Sequence, residues 1–138
     1  MQIGVEIAKA VDNKRIFVVD DDEVTRAALQ FMLHDENETH EFADLDAALS
    51  KARDWRPDLL IIDAARLRTG AQGLIAELKK RIAGLRVVVT LDQAGAGDWA
   101  RQRGADGVIG KPLSIEGTRG VVDEVLGRAA ADLTRRVG

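Results

Sequence analysis

Short apolar runs alternate along the chain with stretches whose apolar residues return at helical spacing. Residues 15–19, Arg-Ile-Phe-Val-Val, are a β-branched and aromatic run that ends in acids, the pattern of a buried strand. From Glu23 to about His34 the apolar residues Val24, Ala27, Ala28, Phe31 and Met32 recur with the period of a helix. A weaker strand is expected near residues 40–42. A helix follows over 44–55, capped by Asp44 or Asp46 and closed before Pro57. Residues 58–63, Asp-Leu-Leu-Ile-Ile-Asp, are the second clean strand. Leu74, Ile75, Leu78 and Ile82 form the apolar stripe of a helix that stops at Gly84, and residues 87–90 are the third clean strand. A short helix over 98–103 closes at Gly104, and a short strand covers 107–109. The last helix starts at Ser114, as N-cap, and runs to about Arg128, with a further reach toward Arg135 left open.

Five strands thus alternate with five helices about twenty residues apart. Near-continuous apolar strands are covered on both faces, so the sheet is expected to be parallel with helices on each side. Right-handed crossovers leave few strand orders, and the doubly wound α/β sheet of order 2-1-3-4-5 is the expected one. A chain of 138 residues, 46% hydrophobic and 31% charged, has the size and composition of one globular domain. The core domain is placed at 15–128, with an N-terminal extension at 1–14 and a C-terminal extension or tail at 129–138, where Arg135 and Arg136 read as solvated.

Charge and composition narrow the chemistry. With no cysteine, there is no disulfide, thiolate metal site or cysteine nucleophile. No apolar run approaches 18 residues and the N-terminus does not read as a secretion signal, so no membrane partner and a cytoplasmic location are expected. Net charge is −3 and basic residues form no long cluster, which argues against direct nucleic-acid binding.

Ligands of such sheets bind beyond the carboxyl ends of the strands, so the residues that terminate the apolar runs carry the information. The first strand ends in Asp20-Asp21-Asp22, the third in Asp63 and the fourth in Thr90, and Lys111-Pro112 follows the fifth. Like charges 4 Å apart cost about 4 kcal/mol at an effective dielectric of 20, so clustered carboxylates must protonate, bind a cation or accept salt bridges. Oxygen ligands alone suit Mg²⁺, which uses one or two carboxylates with water and phosphate. Asp63, alone at a central strand tip, is then the expected nucleophile for a phosphoryl group, with Lys111 and Thr90 expected on the phosphoryl oxygens.

Together, Val19-Asp20-Asp21, Asp63, Thr90 and Lys111-Pro112, in this order at these strand ends, resemble the receiver domain of two-component response regulators over residues 15–128. The resemblance implies the flavodoxin/CheY-like (βα)5 fold. It implies Mg²⁺ held by Asp20, Asp21, Asp63 and the backbone carbonyl of Ala65, with Asp63 as phosphoacceptor, Thr90 as switch hydroxyl and Lys111 on the phosphoryl group. It also implies a cis bond between Lys111 and Pro112. The donor would be a histidine kinase or phosphotransfer protein. Output would pass to an effector protein or a homodimer through the face of the last two helices. Chemistry would stop at self-phosphorylation and slow hydrolysis.

Four features depart from the family pattern. The Met-Pro pair after the phosphoacceptor is replaced by Ala64-Ala65-Arg66-Leu67-Arg68, and the following glycine aligns with either Gly70 or Gly73. Arg66 and Arg68 either point to solvent or fold back to neutralise the acids. Leu91 after Thr90 is expected to narrow the donor's access. Val108 stands where an aromatic switch residue is usual, and the chain has no tyrosine.

These departures motivate an alternative, a degenerate receiver that binds a partner independently of phosphorylation. A haloacid-dehalogenase-like phosphatase, with Asp20 as nucleophile and Asp22 as acid, is the third reading; the chain has no acidic strand end after Lys111 to complete it. Blander expectations stand beside these. Asp22 caps the first helix, His34 and His40 are surface residues, Trp55 packs at a helix end, and Trp99 is a partly exposed contact residue. Residues 105–111 imitate a phosphate-binding glycine loop but lack its first glycine and place proline after the lysine.

Overall fold

The computed structural model describes residues 13–70, 72–92 and 96–128. The tail at 129–138, and all but the last two residues of the expected extension at 1–14, lie outside the described residues. Five strands, β1 (Lys14–Val19), β2 (Asn37–Phe42), β3 (Leu59–Asp63), β4 (Arg86–Leu91) and β5 (Gly107–Gly110), form one parallel sheet of order β2-β1-β3-β4-β5. The helices are α1 (Glu23–Leu33), α2 (Leu45–Ala52), α3 (Ala64–Thr69), α4 (Leu74–Arg81), α5 (Gly97–Gln102) and α6 (Ile115–Val125).

Alternation along the strands divides the core in two. Phe17, Val19, Leu60, Ile62, Val87 and Val89 point to one face, where Leu45 and Ala48 of α2, Leu67 of α3, Ile75 and Leu78 of α4 and Ala100 of α5 cover them. Ile16, Val18, Leu59, Ile61, Val88 and Ile109 point to the other, under Leu29 and Leu33 of α1 and Val122 of α6. The β-branched runs fit this geometry, since their side chains pack well on a pleated surface buried on both sides.

Caps set the helix starts. Asp22 accepts from the Thr25 amide, Asp44 from Ala47 and Ser114 from Gly117, each satisfying a free first-turn donor. Asp44, not Asp46, is therefore the cap of α2. Gly84 follows α4 at φ +76° and Gly104 follows α5 at φ +106°, a region where a Cβ is costly.

Several expectations need correction. The second strand is twice the expected length, because β2 pairs with β1 along its whole run from Asn37 despite its polar composition. On α1, Val24 is 75% and Phe31 66% exposed, while Leu29 and Leu33 make the buried face. His40 is half-buried: its Nε2 lies 2.8 Å from Glu38, and its ring stands edge-on to Phe17 and Trp55. Residues 64–69 form a helix directly after β3, an element absent from the five helices expected from the sequence.

Candidate functional site

Register explains the heart of the site. Asp63 and Thr90 are directly paired across β3 and β4, so their side chains leave the sheet together. Lys111 follows β5 and donates its backbone N–H to the Leu91 carbonyl, which ties it to the same edge. The Lys111–Pro112 bond is cis. The Lys111 ammonium donates to Asp63 Oδ1 at 3.0 Å, and the Thr90 hydroxyl donates to the same oxygen at 3.2 Å. Asp63 Oδ2 accepts the Ala65 amide at 3.0 Å, which makes Asp63 the N-cap of α3. Three donors from three segments thus converge on one carboxylate.

Asp20 lies behind this group at the end of β1. It is 5% exposed; its Oδ1 accepts the Asp22 amide at 2.8 Å, while its Oδ2 is buried without a hydrogen-bond partner. Burial is the main cause that raises its pKa. The Asp22 amide pulls it back, Asp63 and Asp21 push it up, and Lys111 relieves part of the repulsion. For Lys111, burial opposes the charge, but the hydrogen bond and attraction of Asp63, with Asp20 and Asp92 beyond, hold its pKa above the ordinary value. Asp92, which the sequence reading did not single out, stands 3.6 Å from the Lys111 ammonium at the exposed mouth. An acid two residues past the strand-end threonine was the available signal.

Not all of the expected metal ligands are brought together. Asp21 is exposed, and the Ala65 carbonyl accepts the Thr69 hydroxyl at 3.1 Å inside α3. Helical carbonyls run toward the C-terminus, so this one points away from Asp63 at the helix start. Among the described residues no three acidic or histidine side chains converge tightly enough to hold a metal. What fits a hard cation is the smaller pair of Asp20, with its orphaned oxygen, and Asp63. Mg²⁺ commonly takes two carboxylates and fills its sphere with water and phosphate oxygens.

The departures from the family pattern resolve individually. Neither Arg66 nor Arg68 pairs with the acids: Arg66 is exposed, and the Arg68 guanidinium lies 4.8 Å from the centre of the Trp99 ring. Leu91 is buried in the core layer on the Phe17 side. Val108 is half-buried against that layer. As nucleophile for the phosphatase alternative, Asp20 is poorly placed, being buried with one oxygen held by a backbone amide.

Asp20→Asn tests the electrostatic reading. An acid whose folded pKa is raised binds protons more tightly when folded, so stability is lost as pH rises from about 3.8 through the higher folded value. At pH 7 the amide variant is expected to be more stable by on the order of 1 kcal/mol, roughly 3 °C in Tm. The gain should vanish near pH 3, where Asp20 is protonated in both states. Melting curves at the two pH values check this; equal Tm at pH 7 would remove the strained-carboxylate account.

An open parallel sheet covered on both faces, with an acid pocket at its carboxyl edge, defines a doubly wound α/β domain. Residues 16–122 match the model of the response regulator receiver domain, and the chain belongs to that family. The receiver domain of NtrX from Brucella abortus is 30% identical, with a TM-score of 0.70 over 83% of this chain and 99% of that one. NtrX itself, also 30% identical, matches 91% of this chain with a TM-score of 0.74, and this chain spans only 29% of its length. A response regulator from Burkholderia pseudomallei, with a phosphorylated aspartic acid, calcium ion and citrate, shares the fold at 22% identity, TM-score 0.67, covering 90% of this chain and 75% of that one. No curated protein matches the chain. Among the described residues, no helix is long and apolar enough to cross a membrane.

Proposed function

We propose that this receiver accepts a phosphoryl group on Asp63 from a phosphohistidine of a histidine kinase or phosphotransfer protein. The convergence of the Lys111 ammonium and the Thr90 hydroxyl on Asp63 Oδ1 carries the reading. A carboxylate oxygen of Asp63 forms the new O–P bond as the donor's P–N bond breaks, and the imidazole leaves with the electron pair. Lys111 and Thr90 then move from the carboxylate to the phosphoryl oxygens, where preorganised donors stabilise developing charge. Asp20 and Asp63 are the residues that would hold Mg²⁺, which would supply further charge neutralisation.

Two surfaces suit the partners. Val24 and Phe31 form an exposed apolar stripe on α1, which begins beside the acids, and suit a docking donor. Output to an effector or a second copy fits the α5–α6 face, which carries a cleft of about 360 Å³ lined by Arg86, Arg101, Asp106, Val108 and Glu124. The exposed Asp21 and the committed Ala65 carbonyl favour the second reading, a receiver that binds its partner without phosphorylation.

Acetyl phosphate with Mg²⁺, followed by intact mass, separates the two. One added phosphoryl group, lost in Asp63→Asn and reduced without Mg²⁺, is the expected result. An unchanged mass under conditions where the protein remains folded would leave only the binding module.

A further inference from the structure

The chain has no tyrosine, and its last strand offers Val108 where an aromatic readout is usual, yet an aromatic side chain does sit beside the helix that follows Asp63. Trp99 of α5 is half-buried against the Phe17-side core. The Arg68 guanidinium of α3 lies 4.8 Å from its ring centre, and that of Arg103, just past α5, lies 4.7 Å away. Trp99 therefore joins two helices that are separate along the chain.

At its other end α3 is tied to the acid pocket. Asp63 caps it through the Ala65 amide, and Ala64 and Leu67 bury its inner side in the core. Five residues of helical rise, about 7–8 Å, separate the carboxylate from Arg68. A short helix with a buried face moves more readily as a unit than by bending, because close-packed interiors transmit displacement. The Asp63 carboxylate, which caps the first turn, and Arg68 in the last turn thus sit on one short, packed helix.

We propose that Trp99 is the readout residue of this receiver, and that the Arg68–Trp99 contact transmits the state of Asp63 through α3 to α5. The two states are a clasped indole, with α3 capped by a free carboxylate, and a released indole, with the cap altered. An input at Asp63 shifts the balance only as far as it favours one state over the other. The phosphoryl version of this input rests on the function proposed above; the mechanical link does not.

The test uses the full chain with Trp55→Phe, which leaves Trp99 as its single tryptophan. Asp63→Ala removes the cap without any phosphoryl group. It is expected to shift Trp99 emission and to speed amide exchange in residues 97–102 by about threefold or more. Adding Arg68→Gln should reduce that response to less than about a third. Arg68→Gln alone, with Asp63 in place, should leave phosphoryl incorporation intact. If Trp55→Phe does not fold, the difference between the parent and Trp99→Phe supplies the same emission signal.

An Asp63→Ala response that Arg68→Gln leaves undiminished, or no response at all, overturns the proposal. Acetyl phosphate with intact mass then separates the two claims. Added mass without an emission change counts against Trp99 as the readout. No added mass, with the Asp63→Ala response present, counts against the phosphoacceptor reading and supports the mechanical link.

Discussion

Replacing Lys111 by alanine is expected to slow phosphoryl incorporation from a small-molecule donor by about 100-fold or more, the usual cost of losing one preorganised donor to a developing charge. The ammonium now lies 3.0 Å from Asp63 Oδ1 and shares the mouth with Asp92. Removing it has two consequences of opposite sign. Asp63 becomes freer to attack, because it no longer shares its oxygen with a cation. The phosphoryl oxygens, however, lose their fixed positive charge, and the pocket is left with Asp20 and Asp63 facing each other.

The second consequence should dominate, since the added group brings more negative charge into a pocket already short of cations. Time-resolved intact mass gives the rate, and a rate within threefold of the parent would remove Lys111 from the mechanism. Lysine and arginine are not interchangeable here. A compact ammonium fits beside the Thr90 hydroxyl, whereas a planar guanidinium needs a wider approach, so Lys111→Arg should recover only part of the rate.

Phe17→Ala should produce the largest loss of stability. Phe17 is 1% exposed at the centre of β1, with the Phe42 ring centre 4.8 Å away and the His40 ring at 5.6 Å. Emptying such a site typically costs about 3–5 kcal/mol, because the rigid sheet and the helices over it relax only partly into the space. Domains of this size hold about 5–15 kcal/mol in total, so Tm should fall by roughly 10–20 °C. Urea melts should show a lower midpoint with an unchanged slope. A loss below about 1 kcal/mol would mean that the Phe17-side core is less tightly packed than the contacts indicate.

The strands were readable because burial on both faces leaves a signal that does not depend on neighbours. Runs such as Leu59–Asp63 are apolar almost throughout, and the acid at the end marks where the strand leaves the core. The polar β2 had no such signal: Asn-Glu-Thr-His-Glu-Phe becomes a strand because β1 offers it a free edge to pair with. On α1 the spacing revealed a helix but not its inner side. Val24, Ala27, Leu29, Phe31 and Leu33 surround much of the helix, and the position of the sheet alone decides that Leu29 and Leu33 go inside.

The pocket was legible to the same degree and for the same kind of reason. Asp63, Thr90 and Lys111 end successive strands, so a parallel sheet of order 2-1-3-4-5 carries them to one edge whatever the loops do. That much follows from chain order and strand pairing. The path of residues 64–69 does not follow, because a loop without proline has a second option: Asp63 can cap a helix at once, and it does. This local choice turns the Ala65 carbonyl away from the acids and sends Arg68 to Trp99.

The amino-acid order by itself determined the sheet, its polarity and the meeting of three polar strand ends, since burial and alternation act along the chain. Which face of α1 is covered, how far β2 extends and where the backbone turns after Asp63 were decided only in three dimensions, where competing partners for the same hydrogen bonds and apolar surfaces first come within reach of one another.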